Sequence, residues 1–249
     1  MIPLLEPDWP APRGVRAAFS LRSGGASSPP WDTLNLGVHV GDDPASVSEN
    51  RRRLVNALQL PVEPLWLDQV HGREVYHADV AGSSKPAVRP TADAAVTSSC
   101  GVVLAIQVAD CLPVLLASDD GTRLGAAHAG WRGLAGGVLD STLEAMRVDP
   151  ARLVAWLGPC IGPAHFEVGE EVRAAFMAGR PDAAEAFTAN PRGRWQCDLP
   201  RLARARLAAL GVGRVYGGHW CTAADPVRFF SHRRDQRTGR MAALLWREG

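Results

Sequence analysis

The most informative pattern along the chain is the continuous apolar run GVVLAIQVAD at 101–110, which predicts a strand buried on both faces and ends at Asp110-Cys111. The next two segments, LPVLLAS (112–118) and TRLGAAHAG (122–130), flank Asp119-Asp120-Gly121 and read as a hairpin. A turn closed by residues 118 and 121 sets Cys111 opposite His128, with Cα atoms roughly 4.5–5.5 Å apart. Pro113 removes a ladder donor, so a register shift by one is the alternative. Upstream, LWLDQV (65–70) and REVYHADV (73–80) are β-like around a break at His71-Gly72.

Helical spacing marks the remaining elements. Asp43 and Pro44 open a helix whose apolar stripe is Val47, Leu54, Val55 and Leu58. Further helices are expected over 134–148, with Gly136 and Gly137 weakening its start, over 169–179, ended by Gly179, and over 200–211, ended by Gly211. Residues 152–160, RVYGG and RMAALLW supply later strands, and the Gly, Ser and Pro of 81–90 mark a surface loop. Strand runs mixed with amphipathic helices and one hairpin imply an α/β layered sandwich with a mixed sheet. No linker or repeat divides the chain, so one domain over 1–249 is expected.

Composition narrows the class. The 249 residues are 46% hydrophobic, and no apolar run approaches the roughly 20 residues of a membrane helix. Net charge is +1 despite 26 arginines, which leaves no basic excess for nucleic acid. Five cysteines at 100, 111, 160, 197 and 221 form no CxxC pair, and the start MIPLLEPDWP lacks a signal-peptide pattern, so a cytoplasmic location is expected.

The predicted Cys111–His128 contact has three readings: a packed thiol, a nucleophile activated by an imidazole, or two metal ligands. His71 in DQVHG is a third donor, which would make an open three-ligand site of the kind zinc catalysis uses, or a hydrogen-bonded structural histidine. Cys160 in GPCIG, His219 and Cys221 in HWC, and His232 in SHRRD read more simply as packing and loop residues. Arg22 in SLRSGG and Arg132 in GWRGL lie in glycine-containing loops and could hold an anion such as phosphate. No Walker loop, GxGxxG element or HxE with PCxxC deaminase signature is present.

The motifs DQVHG (68–72), ADCLPVLL (109–116), AAHAGWRG (126–133), GPCIGP with FEVG (158–169) and CT with FFSHRRD and TGRMA (221–242) occur in one order. Together with FSLRSGG and NLG they resemble, over essentially the whole chain, the bacterial YfiH/YlmD-type family, also called laccase-domain or multicopper polyphenol oxidase proteins. The resemblance implies a layered α/β sandwich related to bacterial toxin cysteine hydrolases. It also implies a purine nucleoside phosphorylase acting on adenosine, inosine and methylthioadenosine, with adenosine deaminase activity. The family's zinc-binding catalytic residues map onto His71, Cys111 and His128.

The older oxidase name meets a physical objection. A multicopper oxidase needs on the order of ten histidines, mostly in HxH pairs, whereas this chain has seven and no HxH. One copper ion in a His₂Cys site remains compatible with the inventory. The alternatives are a Cys-His hydrolase, for instance on a peptidoglycan precursor, a copper-dependent polyphenol oxidase, and a zinc-dependent binding protein.

Overall fold

The structure, a computed structural model, describes residues 2–79, 88–178 and 180–248. Two sheets stacked face to face form its centre. The first is antiparallel and runs β1 (Leu4–Leu5), β2 (Val15–Ser20), β13 (Met241–Arg247), β5 (Val103–Val108). The second is mixed and runs β12 (Arg214–Gly217), β8 (Leu153–Leu157), β6 (Leu112–Ser118), β7 (Leu124–Ala129), β4 (Ala94–Thr97), β3 (Val75–His77). Its two outer pairs are parallel and its inner pairs antiparallel. A small third sheet runs β10 (Phe187–Ala189), β11 (Trp195–Cys197), β9 (Glu167–Val168).

Alternation along each strand assigns side chains to three apolar cores. Between the sheets, Phe19, Leu104, Ile106 and Leu245 meet Leu115, Ala126, Val154 and Trp156. The opposite residues of β6 and β7, Leu112, Val114, Leu116, Ala127 and Ala129, face helices α2 (Trp131–Gly136), α3 (Val138–Met146), α4 (Glu170–Met177) and α5 (Leu199–Ala209). On the far side, Val103, Ala105 and Leu244 pack under α1 (Pro44–Leu58) through Leu54. The central strands are covered on both faces, which is why the sequence shows apolar runs instead of alternation there.

Several expectations hold and several shift. Asp43 caps α1 as predicted, accepting from the amides of Ala45 and Ser46. The segment 65–70 makes only single bridges, Leu65 to Leu104 and Asp68 to Thr91, and the strand expected over 73–80 shortens to β3. The helix expected over 134–148 is two helices, because Gly137 takes φ +93° and ends α2. The chain leaves α4 through Ala178, and Gly179 lies outside the described residues, as does most of the 81–90 loop. No helix among the described residues is long and apolar enough to cross a membrane.

Leu115 is fully buried between the two sheets. Leu115→Ala is therefore expected to cost about 2–5 kcal/mol of unfolding free energy, read from urea denaturation midpoints.

Candidate metal centre

His71 is placed by a carboxylate. The amides of Val70, His71 and Gly72 all donate to Asp93, at 3.1, 2.9 and 2.6 Å, and His71 adopts φ +64°, a left-handed conformation that a non-glycine residue holds only when its surroundings fix it. Asp93 is fully buried at the entrance to β4. Its remaining strong contact is the Nδ1–H of His128, at 2.8 Å, while its carbonyl accepts the His128 amide at 2.7 Å. Because a carboxylate accepts at Nδ1, the Nε2 of His128 is left for a ligand. Burial pushes the Asp93 carboxyl up, and the His128 contact together with the Gly72 and His71 amides brings it below the usual range.

Cys111 is placed by a second carboxylate. Asp110 takes φ +90°, and its buried carboxylate accepts from Thr222 Oγ1 at 2.6 Å, Ser231 Oγ at 3.1 Å and the Arg233 amide at 2.6 Å. The carbonyl of Asp110 accepts the Ile161 amide at 2.9 Å. Three separate segments thus hold the corner from which Cys111 enters β6.

The hairpin register differs from the one expected. Pro113 pairs with His128 and Leu112 with Ala129, so Cys111 faces Gly130. The loop is wider than predicted: the Ser118 amide bonds the Arg123 carbonyl, and Asp120 accepts from Ser118 Oγ and from the Thr122 amide and hydroxyl. The shift is two residues, so side-chain parity is kept and His128 stays on the same face as Cys111, diagonally placed. That face looks between the sheets, where Cys111 packs against the central core. Gly130 is required there: a Cβ would lie 2.8 Å from Cys111 Sγ and 3.2 Å from a His71 ring carbon.

The ligand atoms of His71, Cys111 and His128 lie within 4.8 Å of one another. Cys111 Sγ is 3.7 Å from His71 Nε2, and the two imidazoles meet edge to face with centroids 4.8 Å apart. Tetrahedral zinc ligation separates such donors by roughly 3.3–3.6 Å, so one thiolate and two imidazoles fit with small side-chain adjustments. His128 is buried, Cys111 half-buried and His71 exposed, which leaves the cluster open on the His71 side. Burial would raise the Cys111 thiol, but the neighbouring His128 and its hydrogen bond, helped by His71, bring it down to about 6. For His128 burial works downward, and the Cys111 thiolate and Asp93 raise it to about 9.

The two candidate arginines lie in different settings. Arg22 donates to the Asp32 carbonyl and carboxylate and to the Pro226 carbonyl. Arg132 is exposed on α2, stacked on Trp131 at 4.3 Å, two residues beyond Gly130. His232 bonds the Gln236 carbonyl, and Cys160 and Cys221 face each other across a single bridge.

Sequence reasoning missed Asp93, whose only local signal is an acid directly before an apolar strand. Arg240, in TGRMA, donates to the carbonyls of Thr238 and Gly239, both at 3.1 Å. Burial lowers the Arg240 guanidinium, opposed by the charges of Cys111 and Asp110, and His39 is lowered by burial and then by Arg240, Arg89 and Arg51, with Asp68 opposing.

Two outcomes are expected. Asp93→Asn keeps its size but weakens both the amide cradle and the His128 contact, so zinc affinity measured by competition with a chromophoric chelator falls about 10–100-fold. In the metal-free protein, iodoacetamide labelling of Cys111 is half-maximal near pH 6 instead of the ordinary thiol value of 9.0, and His128→Ala moves the midpoint upward. A midpoint that stays near 9.0 would show that the imidazoles do not set the thiol.

Residues 16–248 match the family model described as multi-copper polyphenol oxidoreductase laccase. The chain is 53% identical over 244 residues to a protein of Pseudomonas aeruginosa named purine nucleoside phosphorylase, with 97% of each chain covered. It is 48% identical over 246 residues to Escherichia coli purine nucleoside phosphorylase YfiH, with 99% of each covered. The crystal structure of a Neisseria meningitidis protein superposes with a TM-score of 0.93 at 46% identity and covers 99% of both chains. With the match spanning nearly its whole length, the chain belongs to the multi-copper polyphenol oxidoreductase laccase family, the YfiH family.

Proposed function

We propose that this chain is a single-domain purine nucleoside phosphorylase whose reaction centre is His71, Cys111 and His128. The observation that carries the reading is the Asp93-held cluster of one thiol and two imidazoles, open on one side, in a chain about half identical to relatives named for that activity. The substrates proposed are adenosine, inosine and methylthioadenosine, with phosphate as the second reactant and adenosine deamination as a side activity. Its five free thiols suit a reducing cytoplasm.

His71 Nε2, Cys111 Sγ and His128 Nε2 are the donors proposed for zinc, and the same His₂Cys set also suits a single copper ion. Zinc bound there supplies Lewis-acid stabilisation of developing negative charge. The protein's own groups do the positioning. Asp93 keeps His128 Nδ1 protonated and so fixes which nitrogen faces the site. Arg132 is proposed to hold phosphate for attack at C1′ as the purine departs. Of the two arginines expected from sequence, Arg132 carries this role in the proposal, because Arg22 is bound to Asp32 and Pro226. Preorganised positive charge of this kind lowers the barrier without reorganising during the reaction.

A second reading has one observation in its favour. Cys111, His128 and Asp93 follow one another as nucleophile, base and orienting acid, the order of a Cys-His hydrolase, and the Cys111 thiol at about 6 suits a nucleophile. Chelation separates the two. A phosphorylase dependent on the cluster loses inosine turnover on metal removal and regains it with zinc, whereas a hydrolase stays active without metal and is lost to iodoacetamide.

The deciding assay is hypoxanthine release from inosine by the purified protein. Release is expected to require phosphate and to fall at least about 100-fold in Cys111→Ala. Equal release with and without phosphate contradicts phosphorolysis.

A further inference from the structure

Outside this cluster the described residues hold a second cysteine with a histidine at its sulfur. Cys221 is fixed opposite Cys160 by a two-hydrogen-bond bridge: the Cys160 amide donates to the Trp220 carbonyl at 3.3 Å, and the Thr222 amide to the Cys160 carbonyl at 2.9 Å. The Gly162 amide donates to Cys221 Sγ at 3.1 Å, and His165 Nδ1 lies 3.5 Å from the same sulfur. Both contacts come from one turn, closed by the His165 and Phe166 amides on the Gly162 carbonyl at 3.0 and 3.1 Å. Gly162 is needed for that approach, since a Cβ would lie 3.1 Å from Cys221 Cβ and 3.2 Å from Sγ.

Cys221 is half-buried and borders a cavity of about 310 Å³, also lined by Trp220, His219, Arg201, Arg204 and Asp198. The lining carries two guanidinium groups and one carboxylate. Arg204 donates to the carbonyls of Val215 and Gly217, so those contacts leave its charge uncompensated. Arg201 pairs with Glu185, and Asp198 caps α5 through the Arg201 amide.

We propose that Cys221 is a thiol-modification site that exchanges with small disulfides bearing carboxylates. The thiol proton passes to His165 Nδ1 as Sγ attacks one sulfur of the disulfide. The Cys221–sulfur bond forms, the original S–S bond breaks, and the second sulfur leaves as a thiolate that takes the proton from His165. Trp220 supplies an apolar wall and Arg204 the charge that orients a carboxylate. The adduct forms beside Thr222, whose hydroxyl holds Asp110 and through it the corner of Cys111.

The test is timed incubation of the full-length protein with glutathione disulfide or with cystamine, a cationic disulfide, followed by peptide mapping of each cysteine by mass spectrometry. Cys100, exposed and bonded only weakly to the Glu248 carbonyl at 3.9 Å, is the internal reference. Cys221 is expected to take glutathione at least about tenfold faster than Cys100 and to prefer glutathione disulfide over cystamine. His165→Ala, at an exposed position, lowers the Cys221 rate and leaves the Cys100 rate alone. A Cys221 rate no higher than that of Cys100, equal reaction with cystamine, or a rate untouched in His165→Ala overturns the proposal.

Discussion

The carboxylate of Asp93 is the contact on which the cluster of His71, Cys111 and His128 depends. One fully buried anion gathers three successive amides and an imidazole N–H, and these four donors bring together two stretches of chain that are 57 residues apart at His71 and His128. A buried charge of this kind is costly unless it is satisfied by good donors. Satisfied, it does two tasks at once, holding the left-handed backbone of His71 and setting the tautomer of His128. Asp110 repeats the device on the other side: a left-handed residue whose carboxylate is held by Thr222, Ser231 and Arg233. The soft donors therefore stand on anchored corners of the chain.

The layered fold supplies the frame for those corners. Cys111 enters at the start of β6 and His128 lies near the end of β7, adjacent antiparallel strands, so the two arrive at the same end of the sheet. Alternation turns both toward the space between the sheets, where the core behind them is apolar and closed. Gly130 clears the ladder position facing Cys111, and α2 begins directly after it. Packing thus determines which side of the cluster is open, and the open side is that of His71.

Much of this was legible before the structure. The unbroken apolar run at 101–110 announced a strand covered on both faces, and the Asp43-Pro44 start announced α1. The hairpin is recognisable too, and it brings Cys111 near His128, although its loop is wider than the Asp119-Asp120-Gly121 signal implies. The hydrogen bonds of Asp120 that widen the loop have no periodic signature, and Cys111 and His128 still share a face because a two-residue shift preserves it. Asp93 was not legible. Its role comes from the amides of 70–72, brought close by tertiary packing, and an acid before an apolar strand does not by itself stand out from other acids. The break at Gly137 was visible only as a weak helix start, because a positive φ at a glycine is allowed everywhere and required only in context.

The family description speaks of several coppers, while the described residues offer one compact donor set, and the metal proposed there is a single ion held by one sulfur and two imidazole nitrogens. Crystals of the zinc-loaded protein, measured at the zinc absorption edge, test it most directly. One strong anomalous peak is expected at the centre of His71 Nε2, Cys111 Sγ and His128 Nε2, with His128 Nδ1 still on Asp93. A peak elsewhere, or zinc bound here without the Cys111 sulfur, would contradict it.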